Sequence, residues 1–225
     1  MPTPADIIDV IATRLSFPRK TVAQQDRLLV INGERKISGR GRSATASPTD
    51  AAAILIAVAA TPICGPAINI NNYQSYANLN AVHLAAGKLG SWRTIDSLGV
   101  LPDGHTLLEA LSSIIDCLSK GTLLPNSNGI MPPRGELPYH INIGVDLHAP
   151  RSSATIMIER FAEDSVEPDL KETLHYYQTN EPKAAPGGQI DFAQMRSFGI
   201  LTLWSLAKLF DVARTQSNSE SETKQ

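Results

Sequence analysis

The sequence predicts an α+β protein. An N-terminal helical domain of helix-turn-helix type spans residues 1–62. A mixed domain of helices and a small antiparallel sheet spans 63–214, and a disordered tail spans 215–225. Three observations carry this prediction. Apolar residues recur at helical spacing through the first sixty positions and again over 105–121. The period drops to two after residue 140. Proline, glycine and asparagine gather in 121–138, "GTLLPNSNGIMPPRGELP", and in 181–188, "EPKAAPGG", as they do where chains turn.

The elements follow in order. In "ADIIDVIATRL" (5–15), Ile7, Ile8, Ile11 and Leu15 fall on one helical face, and Asp6 and Asp9 suit the positive N-terminal end of the dipole. "SFP" interrupts the pattern, and Pro18 fits the first position of a second helix that runs to about Val30. On that helix Val22 and Leu29 share one stripe, and a rotation of about 100° per residue puts Lys20, Gln24 and Arg27 roughly opposite. Two short helices around a tight turn make a helix-turn-helix, whose second helix needs a polar face to enter a DNA groove. Asn32-Gly33 then marks a turn, and "GRGRS" (39–43) reads as a flexible basic loop or a hairpin wing. "SPTD" (47–50) is a helix start: Ser47 as N-cap, Pro48 in the first turn and Asp50 completing a capping box. Ala51, Ile54, Leu55 and Val58 form the buried stripe of this third helix.

The spacing predicts a helix over 77–89, with Leu79, Val82, Ala86 and Leu89 on one face, and a stronger one in "DGHTLLEALSSIIDCLSKG". There Thr106 and Glu109 form a capping box, six apolar residues make a wide stripe, and Gly121 closes the helix. "YHINIGVDL" alternates cleanly and "ATIMIERF" less so, and the short link "HAPRSS" suits a hairpin. "TLHYYQTN" supplies a further strand. "FGILTLWSLAKLFDVAR" is apolar nearly all round, which places it centrally in the core or at a subunit interface.

Charge separates the two ends of the chain. The net charge is −2, yet residues 1–45 carry eight Lys/Arg against four Asp/Glu, while the remainder carries 12 against 18. A basic end on an acidic body points that end towards a polyanion. Lys20, Gln24 and Arg27, with Arg19 and Thr21 beside them, form the expected groove-facing set, and Arg35, Lys36, Arg40 and Arg42 the expected phosphate set. Arginine grips guanine or phosphate through paired hydrogen bonds, and glutamine pairs with adenine. Only Phe17 supplies an aromatic face near this stretch, which favours duplex over single-stranded DNA.

Other chemistries lack a constellation. Five scattered histidines and two distant cysteines, Cys64 and Cys117, match no metal-ligand spacing, so no metal or cofactor is expected and both thiols are read as reduced. No phosphate loop or nucleophile elbow occurs, and the expectation is a protein without catalysis. An enzyme would have to assemble its site from distant positions such as Asp146, His148 and His175. No apolar run approaches the ~20 residues that cross a membrane. "AAAILIAVAA" (51–60) is too short, and the N-terminus lacks a signal-peptide pattern, so the expectation is a cytoplasmic protein.

The arrangement "DVIATRLSFPRKTVAQQDRLL", a basic Gly-Arg loop and "SPTDAAAILIAVAA" resembles the N-terminus of small bacterial phage and prophage helix-turn-helix regulators over about residues 5–60. The resemblance implies sequence-specific duplex-DNA binding in transcriptional control, with a DNA-packaging (terminase) subunit as the alternative. A protein-interaction module that does not meet DNA is the other alternative. Homo-oligomerisation, a dimer first, is expected because paired half-sites multiply the few base contacts of one short helix.

Overall fold

The computed structural model describes residues 2–36, 44–61, 69–82, 101–102, 104–124, 128–130, 136–163, 165–178 and 194–222, with side chains up to Asp211 in the last segment. Among them are helices α1 (Pro4–Arg14), α2 (Arg19–Ile31), α3 (Pro48–Ala59), α4 (Ile70–Ala77), α5 (Leu107–Lys120) and α6 (Ile200–Glu222). The strands are β1 (Asn80–Val82), β2 (Ile141–Ala149), β3 (Ser153–Phe161), β4 (Pro168–Tyr177) and β5 (Gln194–Gly199). The class is α+β, as the change of period predicts.

Local chemistry sets the helix starts. Three helices open on a reciprocal capping box: Thr3 with Asp6 at α1, Ser47 with Asp50 at α3, and Thr106 with Glu109 at α5. Each cap satisfies backbone donors that a helix N-terminus leaves without partners. α5 ends on Gly121, whose φ of 67° is left-handed and is reached without strain only by a residue lacking Cβ.

The helices surround α3. Every residue from 51 to 60 is buried, and α3 touches all five other helices described here. Sequence reasoning places α6 either centrally in the core or at a subunit interface; within this chain α6 is not central and keeps a solvent side, with Leu201 51% exposed and Lys208 lying 4.4 Å from the Trp204 ring centroid. α3 fits the centre because its alanines let neighbouring backbones approach from every side. The backbone of α6 also runs to Glu222, past the point where sequence reading ends the ordered chain. No glycine or proline interrupts residues 200–222.

The sheet is antiparallel throughout, in the order β1-β4-β3-β2-β5. Alternation gives it one inward and one outward face. Phe198, Val145, Ile156 and Leu174 face one another across the strands as an inward row, and Leu147, Ala154, Tyr176 and Ala81 form the next. These rows join the helical residues in one continuous buried cluster from Ile7 to Phe210. The helix expected over 77–89 is not formed at its start: Asn78 ends α4, and Asn80–Val82 pair with β4 instead. Residues 83–89 lie outside the described residues.

Two buried polar side chains illustrate how the core treats such groups. His105 is 2% exposed and satisfied on both ring nitrogens, by the Pro102 carbonyl and by the Tyr176 hydroxyl, each at 3.1 Å. Glu172 lies in the inward face beside Ile158, and burial pushes its carboxyl up to about 7.

Candidate nucleic-acid interface

The N-terminal pair forms from its own sequence. α1 buries Ile7, Ile8 and Ile11. It ends at Leu15, and Ser16 reverses the chain with a φ of 55°. Pro18 precedes α2, which buries Val22, Gln25 and Leu29. Gln25 is an inward polar residue that sequence reasoning missed. Its amide donates to Thr61 Oγ1 at 2.8 Å, and Thr61 Oγ1 in turn donates to the Ala57 carbonyl, so α2 is keyed to the end of α3.

The opposite side of α2 is open. Lys20, Gln24 and Arg27 are exposed and Thr21 is half-buried, so spacings of four and three residues place the first three along one solvent stripe. Arg19, also exposed, pairs with Asp9 of α1. An exposed ion pair of this kind contributes only about 0.2–1 kcal/mol, so a phosphate can compete for the guanidinium. Lys36 is exposed just beyond α2, and Arg40 and Arg42 lie outside the described residues.

Arg35 departs from its expected role. Its side chain is only 5% exposed. Nε and Nη2 donate to the two carboxylate oxygens of Asp26 at 2.7 and 3.0 Å, and Nη1 stands 4.0 Å from Asp50 Oδ1. The parallel geometry is the strong fork that arginine makes with a carboxylate. Arg35 therefore does not hold phosphate. It fastens the end of α2 to the first turn of α3, where Asp50 also serves the capping box. The signal for this was present but ambiguous, because Asp26 and Arg35 are nine residues apart across a turn. The pairing also changes the electrostatics of α2. Asp26 is the helix's one acidic residue, and Arg35 draws it inward, which leaves the stripe of Lys20, Gln24 and Arg27 without a carboxylate.

Asp146, His148 and His175 share the outward face of the sheet. Asp146 stands across from Thr155, which pairs with His175, and His148 lies in the adjacent row opposite Ser153. Ser197 Oγ donates to Asp146 Oδ1 at 2.5 Å, and the His175 and Tyr177 rings stack at 6.3 Å. Each of the three groups is half-buried on that face. Among the described residues no cluster of three or more His, Cys, Asp or Glu can hold a metal ion, and no helix is long and apolar enough to cross a membrane. Comparison with protein-family models, with curated proteins and with solved structures finds no match to this chain.

Proposed function

We propose that this protein binds double-stranded DNA through the exposed side of α2 and acts as a sequence-specific regulator. The observation that carries the reading is the solvent stripe of Lys20, Gln24 and Arg27, from which Arg35 withdraws the helix's acidic residue. A polar, cationic helix that stands free on one side meets the geometric requirement for a major groove, and the helix before it can brace against the backbone. Gln24 and Arg27 read base edges, Lys20, Arg19 and Lys36 neutralise phosphates, and Thr21 supports the backbone contact. Arg40 and Arg42 extend the phosphate track. Two copies bring two such helices to half-sites about one DNA turn apart, roughly 34–36 Å, which is why a dimer suits this reading.

Fluorescence anisotropy with labelled duplexes, across a salt series, tests it. The wild-type chain is expected to bind with a steep salt dependence. Lys20→Ala weakens binding about equally for all sequences and lowers the slope of log K against log salt by about one. Gln24→Ala instead narrows the gap between preferred and random DNA, with a loss of about 1–3 kcal/mol at the preferred site. Absence of binding to any duplex at low salt overturns the proposal and leaves the stripe to an acidic protein partner.

A further inference from the structure

A second cationic position lies far from the α2 stripe in character, because it points inward. Arg196 of β5 pairs across the sheet with Leu147, in the inward row that continues through Ala154 and Tyr176. A position in that row is expected to be apolar. The guanidinium carbon lies 5.7 Å from the centroid of the Phe17 ring. A cation over an aromatic face recovers part of what desolvation removes, and only part. Arg196 has no carboxylate partner among the described residues, in contrast to Arg35 and Arg160, which are each gripped by an aspartate. Arg196 is half-buried, and that partial burial lowers its pKa.

Arg196 borders a cleft of about 130 Å³ between the end of α3, the helix α4, the β2–β3 turn and β5. Among the described residues the polar lining consists of Thr61, Asn72, Tyr76, Ser152, Gln194 and Arg196, and none of these described lining residues is acidic. The hydroxyls are fixed by their neighbours. Tyr76 donates to the His148 carbonyl at 2.6 Å, and Ser152 donates to Ser75 Oγ at 3.1 Å. The side-chain amides of Asn72 and Gln194, like the guanidinium, have no protein acceptor among the described residues. A cleft that holds an unpaired guanidinium and two side-chain amides with free N–H groups, and no carboxylate among its described lining residues, is complementary to an oxyanion. A space of about 130 Å³ is large enough for a small group such as a carboxylate or a phosphate.

We propose that this cleft is a binding site for a small oxyanion, a carboxylate or a phosphate group, held by Arg196 with the amides of Asn72 and Gln194. The site does not depend on DNA binding. The test is a titration of the full chain with inorganic phosphate and, separately, with succinate, at constant ionic strength, followed by nuclear magnetic resonance of backbone amides and the Arg196 Nε–H. Saturable shifts confined to Thr61, Ser152 and Arg196 are expected, with at least tenfold weaker binding in Arg196→Gln. Arg196→Lys keeps the charge and is expected to retain intermediate affinity, which separates loss of the site from loss of the fold. Saturation by phosphate alone assigns a tetrahedral anion, and saturation by succinate alone assigns a carboxylate. No saturable shift with either probe, or equal affinity in Arg196→Gln, overturns the proposal. Lys20→Ala, which impairs the DNA reading, is expected to leave both titrations unchanged.

Discussion

Arg27 and Arg35 are the same amino acid eight positions apart in one basic segment, and the fold gives them opposite environments. Arg27 is exposed on α2, while Arg35 is held in a two-pronged pair with Asp26 and faces Asp50. Removing one partner of a buried pair leaves an uncompensated charge, and such losses run to about 3–5 kcal/mol. Asp26 keeps some contact with water, at 14% side-chain exposure, so Arg35→Ala is expected near the lower end of that range. Arg27→Ala changes stability by no more than about 0.5 kcal/mol, as surface substitutions usually do. Urea unfolding of the two variants beside the wild type checks this contrast. Similar midpoints for both would mean that the Arg35 pair does not hold α2 to α3. Nothing in the one-dimensional chain distinguishes these residues, since charge type is visible in sequence and partner geometry is not.

At the scale of elements, what was legible depended on whether the signal is local. The capping boxes at Ser47 and Thr106 and the left-handed glycine at Gly121 are complete within four residues or one turn, and all three form as the sequence predicts. The β2–β3 hairpin follows from alternation, and the expected strand "TLHYYQTN" coincides with only the second half of β4, whose inward row Glu172 interrupts with a carboxyl. β1 and β5 escaped notice because three and six residues are too few for a period to declare itself, and their pairing is supplied by distant strands. β5 turns directly into α6 at Gly199, opposite Gly144 of β2. A Cβ on Gly199 would stand 2.9 Å from the Ile143 carbonyl oxygen, a backbone atom that cannot move without disturbing the ladder. A Cβ on Gly144 would meet only the Met157 methyl at 3.6 Å, ordinary contact. Gly199→Ala is therefore expected to destabilise by about 1–3 kcal/mol, as overpacking does, and Gly144→Ala to be nearly neutral. Thermal melts of the two variants separate these outcomes, and equal melting temperatures would contradict the close approach of β5 to β2.

For the whole molecule the question is how the cationic end relates to the acidic remainder. The sequence suggests a boundary near residue 62, because "TPICGP" follows a strong helix. The structure shows α3 buried on every side, with α5 and α6 among its neighbours and one buried cluster reaching from α1 to the sheet. A helix with apolar groups all round has no face suited to water. A fragment of residues 1–62 would expose the sides of α3 that α5 and α6 cover. About 60 residues already make a marginal core even when the apolar faces are closed. The fragment is expected to show helical circular dichroism without a cooperative thermal transition, and to associate as its concentration rises. The full chain is expected to unfold in a single step that carries the signal of both helices and sheet. A sharp, concentration-independent melt of the fragment would instead establish the helical end as a domain that folds alone. The expected result has a consequence for the proposed interface. The α2 stripe would then be positioned by the entire core, through Gln25 on Thr61 and Arg35 on Asp26, so substitutions in α5 that loosen α3 would weaken DNA binding without touching a cationic residue.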